Sequence, residues 1–566
     1  MQNAPEIIEV DNTQLENVLR RAEQALDAKD SALIRAVFQS YVYVADLVED
    51  KNTSIRRLRQ LFFGARTEKT DAVVGRKTDK LAATPQSGTA AETELAAGKP
   101  AASKPDEADM KPALQGHGRN GADAYGGAER IEVPHPSLSG GDACPACGQG
   151  TVYEKAPGVL VRITGQPPLA AKIYQLQKLR CHLCGQVFTA TAPAEAGSQK
   201  YDATAASMIG LLKYGSGLPF NRLEGLQGNL EIPLPASTQW DIVNAVGANL
   251  APAFAELIRQ AAQGEVLHND DTTVKILELM GQRGRQDALT SAEAEGNDAD
   301  QRTGLYTSGV VALRDGQRVA LFFSGRRHAG ENLAQVLKLR ALELPPPIQM
   351  CDALSRNLPG ELQTIVGHCL AHARRQFVDV YDRFPEQCRY LLEALAVVYR
   401  NDAVARERQL SPEARLRFHQ EASQPTMQQL HDWLTRQLAE KLTEPNSALG
   451  KAIGYMLRHW DKLTLFLRQA GAPLDNNLCE RALKKAILHR KNALFYKTQN
   501  GARVGDLFMS LIYTCQLNQA NPFDYLTQLQ RHTDELAASP QLWMPWNYCA
   551  ALVSVDESIM PYEPNA

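Results

Sequence analysis

Length and charge limit the kinds of protein that this chain can be. Its 566 residues carry 61 basic and 64 acidic side chains, a formal net charge of −3. That length predicts roughly three or four domains, and the balanced charge means that any nucleic-acid partner is bound by local basic patches. No stretch is apolar for long enough to span a bilayer, and the N-terminus lacks the basic and apolar regions of a signal peptide. We therefore expect a cytoplasmic protein.

The first 70 residues predict a helical segment. Apolar residues recur at approximate heptad spacing between residues 13 and 63, interrupted by Ser40, Lys51 and Ser54. This imperfect pattern favours a helical hairpin or a short dimerisation coiled coil. Residues 71–128 are rich in Ala, Gly, Pro, Thr and Lys and poor in large apolar residues, which predicts a disordered linker.

Four of the ten cysteines form two CxxC pairs, Cys144 with Cys147 and Cys181 with Cys184, and each pair is followed by glycine. Four thiolates in two such knuckles are typical of a tetrahedral structural zinc site with no open position for catalysis. The segment between the pairs alternates as strands do. Residues 129–198 therefore predict a zinc-binding ribbon, and we expect the other six cysteines to be buried thiols.

Residues 199–262 predict three helices separated by short loops. Ser237 and Thr238 offer an N-cap to the third helix. A tight turn before that helix favours a helix-turn-helix-like DNA-binding domain that places Gln239 near base edges. The same pattern also fits a helical subdomain that serves only packing.

The pattern changes from helix to strand after residue 263. A β-branched run carries Asp270 and Asp271, a polar loop occupies residues 281–304, and two more strands, a helix and a fourth strand ending at Asp352 follow. This order is typical of the opening of a ribonuclease H-like fold. That fold brings the ends of its first and fourth strands side by side, so Asp270 and Asp352 would reach one pair of metal ions.

Helices are predicted after the second aspartate. Residues 367–381 predict a helix that carries His372, Arg374 and Arg375, and residues 385–470 predict an insertion of amphipathic helices. His372 could orient a phosphate group or be an ordinary hydrogen-bonded helix histidine, and the sequence does not separate the two.

A carboxylate surrounded by basic residues lies in the segment from Pro473 to Phe495. Glu480 falls on a predicted helix opened by Asp475, and between Pro473 and Arg503 seven Lys or Arg stand against two acids. A metal needs oxygen ligands and phosphates need cations, so this composition suits a site that binds a divalent metal and a polyanion together. The alternative is a solvated helix in which Glu480 pairs with Lys484.

These motifs together resemble those of bacterial transposases of the insertion sequence 66 type, in the family's order and over nearly the whole chain. The segments that carry the resemblance are LRQLFFGARTEK, the two CxxCG knuckles, LKYGSGLPFNRLEGL, LHNDDTTVKIL, GHCLAHARRQF, LDNNLCERALKKAILHRKNALF and WMPWNY. The chain departs from the family at Asp271, where glutamate is usual, at Thr273, where proline is usual, and at Lys484, where arginine is typical.

The resemblance implies an enzyme of the three-acid (DDE) type. Asp270, Asp352 and Glu480 would hold two Mg²⁺ ions roughly 3.5 to 4 Å apart for DNA cleavage and strand transfer. Backbone phosphates of the element's ends would be bound by basic side chains on two helices, namely Arg374, Arg375, Lys484, Lys485, Arg490 and Lys491.

The resemblance also implies partners and a location. The expected partners are the terminal inverted repeats, target DNA, at least one further copy of the chain, and small accessory proteins of the same element. The expected location is the bacterial cytoplasm, in association with the nucleoid. Two other functions fit the residues: a ribonuclease H-like nuclease that cuts without joining, and a catalytically inactive zinc-ribbon DNA-binding regulator.

The predicted fold class is a multidomain α+β protein whose ribonuclease H-like α/β catalytic core contains a helical insertion. The predicted segments are a helical or coiled-coil segment at 1–70, a linker at 71–128, a zinc ribbon at 129–198, a helix-turn-helix-like domain at 199–262, the core at 263–384 and 471–535, the insertion at 385–470, and a tail at 536–566.

Overall fold

The computed structural model describes residues 168–180, 187–281 and 304–559, together with a few isolated positions nearer the N-terminus. The predicted coiled coil, the predicted linker and the four zinc-ligand candidates Cys144, Cys147, Cys181 and Cys184 lie outside the described residues. The described chain forms two compact units. One comprises residues 255–281 and 304–487, and the other comprises residues 168–180, 187–254 and 488–559.

A short hairpin and three helices come first in chain order. The elements are β1 (Lys178–Arg180), β2 (Val187–Thr189), α1 (Ala203–Gly210), α2 (Phe220–Asn229) and α3 (Ala236–Ala262), and β1 pairs with β2 antiparallel. The three predicted helices are confirmed. Helix α3 begins directly after Pro235, so the predicted N-cap was wrong: Ser237 and Thr238 lie inside the first turn.

A five-stranded mixed sheet forms the centre of the first unit. Its elements in chain order are β3 (Val266–Thr273), β4 (Tyr306–Arg314), β5 (Gln317–Gly325), α4 (Ala329–Leu337), β6 (Ile348–Cys351) and β7 (Ile365–His368). The strand order across the sheet is β5-β4-β3-β6-β7. Strand β4 pairs antiparallel with both β3 and β5, whereas β6 runs parallel to β3 and β7 parallel to β6. The predicted succession of three strands, a helix and a fourth strand is confirmed.

Six helices follow the sheet and confirm that the segment after the second aspartate is helical. They are α5 (Leu370–Val380), α6 (Pro385–Glu407), α7 (Pro412–Ala422), α8 (Gln424–Ala439), α9 (Ala448–Arg458) and α10 (Trp460–Leu463). Proline lies in the first turn of α6, α7 and α8, where its missing N–H has no intrahelical partner to lose. Side chains such as Phe377, Leu395, Leu430 and Ile453 bury the apolar faces of these helices in one cluster.

The remaining helices are α11 (Asn477–Ala493), α12 (Gln499–Leu517), α13 (Pro522–Arg531), α14 (Thr533–Ala538) and α15 (Tyr548–Ile559). The aromatic tail packs against α13: Trp543 is buried, and its carbonyl accepts a hydrogen bond from the Tyr525 hydroxyl at 2.8 Å. Of the six cysteines expected to be buried, Cys549 is exposed and the expectation is wrong for it. Among the described helices, none has both the length and the apolar character needed to cross a membrane.

Candidate active site

Two of the three predicted acids lie on adjacent parallel strands, Asp270 within β3 and Asp352 directly after β6. Strands β3 and β6 pair with His268 opposite Met350, so Asp270 and Asp352 come two residues later along the same edge. Burial, and after it the negative charge of Asp352, raise the pKa of Asp270 to about 7. The charges of Asp271 and, after it, Glu480 also raise the pKa of Asp270, each by a smaller amount. Asp270 therefore lies close enough to both Asp352 and Glu480 for their charges to act on it.

A buried amide network holds the loop that carries Asp352. The Asn357 side-chain amide and the Leu354 backbone N–H both donate to Oδ1 of Asp352. The Asn357 carbonyl in turn accepts from Asn269 at 2.8 Å and from Gln349 at 2.7 Å. Since Asn269 lies on β3 and Gln349 on β6, this network ties the loop to both strands that present the acids.

Asn476 fastens the helix that carries Glu480 to strand β3. Its side chain is fully buried, with Oδ1 3.0 Å from His268 Nδ1 and Nδ2 donating to the Asn269 carbonyl at 3.1 Å. Its backbone N–H donates to the sulfur of Cys369 at 3.2 Å. Helix α11 starts at the next residue, and Glu480 lies in its first turn. The third acid is thereby positioned relative to the first.

A close approach between helix α11 and strand β4 supports the same placement. The Cys479 thiol donates to the Gly309 carbonyl at 3.4 Å. A Cβ atom at Gly309 would lie 3.1 Å from the side chain of Leu483 and 3.3 Å from the Cys479 sulfur, so a larger residue would push the helix away.

Glu480 faces the helix that follows β7. Its carboxylate oxygens lie 3.6 Å from Nδ1 of His372 and 3.8 Å from Nη2 of Arg375, and 24 % of its side chain is exposed. His372, for which the sequence left two roles open, therefore has its ring beside the third acid.

Asp271 belongs to a different cluster from Asp270. Its side chain is 2 % exposed, and its two oxygens lie 2.9 Å from Nδ1 of His328 and 3.5 Å from Nη2 of Arg356. Successive side chains of a strand point to opposite faces. Asp270 can therefore lie beside Asp352 and Glu480, whereas the side chain of Asp271 points away from them. Asp270 is therefore the aspartate that lies beside Asp352 in the parallel pairing of β3 and β6.

The structure contradicts the predicted role of Gln239. Its side chain is fully buried, and its amide donates to the Phe220 carbonyl at 3.1 Å and to the Leu234 carbonyl at 3.0 Å. The residue closes the connection between α2 and α3 and is not available to base edges. The sequence could not show this, because a glutamine in the first turn of a helix can either contact base edges or bond to the backbone of the preceding loop.

The predicted phosphate-binding residues differ in accessibility. Arg374 is 9 % exposed, so the expectation that it contacts a phosphate is wrong for this conformation. Arg375, Lys485 and Arg490 are half-buried, while Lys484 and Lys491 are exposed. Arg375 and Lys484 lie in the same unit as the three acids.

Sequence reasoning missed three residues of the helical insertion, of which Tyr455 lies close enough to Asp352 for the charge of that acid to act on it. Burial, and next the charge of Asp352, raise the pKa of Tyr455 to about 12. The rings of Tyr455 and His459 lie 4.7 Å apart, and the charge of Lys462 acts on the Cys351 thiol. They belong to the helical insertion and are a hundred residues away in sequence, so no local pattern relates them to Asp352.

The donor set fits a hard divalent cation such as Mg²⁺. Mg²⁺ is bound in proteins through one or two carboxylates and substrate phosphates. Here a buried carboxylate has its pKa raised to about 7 by burial and by neighbouring acids. A cation bound among these carboxylates would offset the repulsion between their negative charges.

Comparison with known proteins gives the family. The model of the Transposase IS66 family matches residues 199–504, more than half of the chain. Three proteins of Sinorhizobium fredii are similar to it. The uncharacterized protein y4hP is 28 % identical over 441 residues, which cover 74 % of this chain and 75 % of that protein. The uncharacterized protein y4qI is 27 % identical over 346 residues, covering 60 % and 61 %.

The third relative matches a shorter part of the chain. The uncharacterized protein y4jD is 37 % identical over 187 residues, which cover 32 % of this chain and 36 % of that protein. The family match spans the strands, the insertion and the helix that present the three acids. The chain belongs to the IS66 family of transposases.

Proposed function

We propose that this protein is a DDE transposase that cleaves DNA at the terminal inverted repeats of its element and joins the ends to target DNA. The observation that carries the proposal is the convergence of Asp270, Asp352 and Glu480, through paired strands and the anchored helix α11, in a chain of a transposase family. The sheet order β5-β4-β3-β6-β7, with three antiparallel strands followed by two parallel ones, supports a ribonuclease H-like core.

The chain's own residues hold the acids in place and keep them close. Asp270, Asp352 and Glu480 would hold two Mg²⁺ ions, which when bound supply activation of the attacking oxygen and stabilisation of the leaving oxygen. Asn357 orients Asp352, and Asn476 holds the start of the helix that carries Glu480. Such fixed geometry matters because a catalytic group misplaced by about 1 Å costs roughly 100-fold in rate.

Basic side chains beside the acids would bind the DNA backbone. Arg375 lies next to Glu480, and Lys484 is exposed one helical turn further along α11. The charge of Lys462 acts on the thiol of Cys351, which directly precedes Asp352. Cations near the carboxylates suit a phosphate chain that passes across them, and phosphate contacts of this kind position the DNA without reading its sequence.

End recognition is assigned to the zinc ribbon and to residues 201–258. Strands β1 and β2 pair antiparallel on the two sides of the Cys181–Cys184 knuckle, which supports a ribbon held by a structural zinc ion. Deleting residues 201–258 is expected to remove the footprint on the inverted repeats, and an unchanged footprint would rule this role out. At least two copies would act together, one at each end.

The test of the enzyme is a cleavage and joining reaction. Full-length protein, Mg²⁺ and labelled element-end DNA are expected to give nicked ends, and then joined products with a plasmid. Asp352→Asn is expected to lower cleavage by roughly 100-fold or more, because a metal ligand is lost, while DNA binding in a gel-shift assay is retained.

Asp271→Asn is the matched control, since this aspartate belongs to the cluster with His328 and Arg356. We expect its cleavage rate to stay within about tenfold of the wild type, because no acid of the proposed metal site is removed. Cleavage that persists in Asp352→Asn would exclude Asp352 from the site. Cleavage without joining would favour the nuclease, and specific DNA binding without cleavage would favour the inactive regulator.

A further inference from the structure

A sulfur, an imidazole and a carboxylate meet beside the proposed catalytic acids. Cys369 directly precedes helix α5, His372 lies in the first turn of that helix, and Glu480 lies in the first turn of α11. One ligand atom from each, the sulfur, a ring nitrogen and a carboxylate oxygen, lie within 4.8 Å of one another. Three side chains from two elements thus point to one small volume.

Two atoms of this cluster lack partners although they are buried. Nδ1 of His372 and Oε1 of Glu480 are inaccessible and make no hydrogen bond with any described residue. They lie 3.6 Å apart, which is too far for a hydrogen bond. Buried polar atoms are nearly always satisfied, so an unsatisfied pair facing each other is an arrangement that an ion bound by both atoms would complete.

We propose that Cys369, His372 and Glu480 form a second metal site that binds a thiophilic divalent ion such as Zn²⁺ and, when occupied, withdraws Glu480 from the catalytic set. Thiolate and imidazole ligands select Zn²⁺, whereas Mg²⁺ takes oxygen ligands. Ligand bonds of about 2.0 to 2.3 Å around a tetrahedral ion place neighbouring ligand atoms roughly 3.3 to 3.8 Å apart. The separation of 3.6 Å between His372 and Glu480 falls within that range.

The surroundings of the sulfur also suit a bound metal. The backbone N–H of Asn476 donates to Sγ of Cys369 at 3.2 Å. Hydrogen bonds of this kind orient a ligand and stabilise its charged form. Coordination by a divalent ion deprotonates a thiol outright, so the buried Cys369 would enter the site as a thiolate. The protein supplies three ligands, and the fourth position of the ion is left for water or a substrate oxygen.

Competition for Glu480 has a functional consequence. A carboxylate whose Oε1 is coordinated to Zn²⁺ beside Cys369 and His372 has only its other oxygen to offer to the set with Asp270 and Asp352, and would hold Mg²⁺ there more weakly. Zn²⁺ is therefore expected to inhibit Mg²⁺-dependent cleavage. This inhibitory consequence rests on the proposed function, whereas the binding of Zn²⁺ does not.

Binding is tested directly on the full-length chain. The protein is first equilibrated with Zn²⁺ and dialysed, so that the predicted ribbon is filled, and is then titrated with Zn²⁺ in a calorimeter. We expect one further Zn²⁺ per wild-type chain, and at least about tenfold weaker binding of that ion in Cys369→Ser and in His372→Gln, each of which removes one of three ligands. Cys388→Ser, at a buried cysteine in the helical core, is the matched control and is expected to keep the further ion.

Each outcome decides the question. No further Zn²⁺ in the wild type, or equal binding in the wild type and in both ligand variants, overturns the site. Should Cys369→Ser fail to fold by circular dichroism, His372→Gln, whose ring is 27 % exposed, carries the test alone.

A cleavage assay separates the proposed Zn²⁺ site from the proposed transposase function. Zn²⁺ added to Mg²⁺ is expected to slow cleavage by the wild type at least about tenfold, as metal binding takes Glu480 from its partners. Unchanged cleavage with the further ion bound would overturn the competition. A wild-type protein that binds the further Zn²⁺ but cleaves nothing in Mg²⁺ alone would leave this site intact and would refute the transposase chemistry.

Discussion

At the scale of single residues, Asn476 is the contact that brings a distant helix to the first acid. It lies just before α11 and is bonded to His268 and to the Asn269 carbonyl on β3. Neither side-chain partner is a catalytic candidate, and Asn476 contacts the third acid through the backbone, where its carbonyl accepts from the Glu480 N–H at 3.1 Å. It is a positioning residue, and its effect on the reaction passes through Glu480.

Asn476→Ala is expected to lower the cleavage rate at saturating DNA by roughly 10- to 100-fold, because Glu480 loses its fixed distance to Asp270. The buried partners left unpaired are expected to lower the free energy of unfolding by about 1 to 3 kcal/mol. The measurements are single-turnover cleavage and DNA affinity, and the affinity is expected to stay within about twofold because no phosphate contact is removed.

Asn477→Ala is the control for this prediction, since the Asn477 side chain bonds to Asp475 and not to β3. A larger Mg²⁺ requirement in Asn476→Ala, absent from Asn477→Ala, would distinguish a positioning role from a loss of stability alone. Equal rates in the two variants would show that Asn476 does not position Glu480.

At the scale of elements, the start of helix α4 packs directly on the loop that follows Asp352. A Cβ atom at Gly330, in the first turn of α4, would lie 2.7 Å from the Arg356 carbonyl oxygen. That loop also contains Asn357, which donates to Asp352. The helix therefore limits where the second acid can lie, although it contributes no side chain to the site.

Gly330→Ala is expected to destabilise the first unit by about 2 kcal/mol or more, because neither the helix nor the loop backbone can yield without strain. Gly454→Ala is the matched control within helix α9: a Cβ atom there meets nothing within 4 Å. Alanine is the better helix former, so this change is expected to stabilise by up to about 1 kcal/mol.

Urea unfolding of the two glycine variants measures the difference, and cleavage reports on the site. We expect slower cleavage in Gly330→Ala only, because the shifted loop carries Asn357 and Asp352. Stabilities that change in the same direction in both variants would show that the close approach at Gly330 is not a constraint.

At the scale of the whole molecule, the second unit contains a histidine that must stay neutral. The His489 ring lies 4.6 Å from the Tyr496 ring and 6.0 Å from the Tyr214 ring, in stacked arrangements. Burial, and next the positive charge of Lys213, lower the pKa of His489 to about 3. The unfolded chain binds a proton near pH 6.5 that the folded chain does not bind.

The lowered pKa of His489 sets the direction in which the stability of the fold changes with pH. The stability that His489 contributes is fully present above about pH 6.5 and is lost as the pH falls from there towards the folded pKa, by up to about 1.4 kcal/mol per pH unit. His489→Phe keeps an aromatic ring and removes the titration, so its stability is expected to fall less steeply between pH 6.5 and 4.5.

Urea midpoints of the wild type, of His489→Phe and of His431→Phe across this range check the prediction. His431 has 36 % of its side chain exposed and serves as the control for replacing a histidine by phenylalanine. Parallel pH profiles for the wild type and His489→Phe would contradict the assignment.

Local signals were sufficient for the elements and for the candidate acids. Strand-like runs that carry or precede an aspartate, the basic helix around Glu480 and the helical insertion depend on side-chain periodicity and on turn residues, which act within a few residues of chain. These predictions hold for β3, β6, α11 and the helices between them. The N-cap of α3 was placed two residues too late, because Pro235 ends the loop earlier than the serine and threonine suggested.

Contacts between distant residues could not be predicted from such signals. Gln239 and Arg374 have side chains that suit DNA as well as they suit the interior, and only packing decides that both are buried. Asn357 reaches Asp352 from a loop whose local sequence carries no sign of it. Nothing in the segment around Asn476 indicates that its side chain bonds to β3.

The sequence by itself determined the family resemblance, the order of strands and helices, and three acids as candidates, since these depend on residue type and spacing along the chain. Only the tertiary structure decided which of two adjacent aspartates faces Asp352 and that Cys369 and His372 lie beside Glu480. The physical reason is that strand pairing and helix packing bring together residues about a hundred positions apart, and the burial and charge that set their chemistry exist only after that packing.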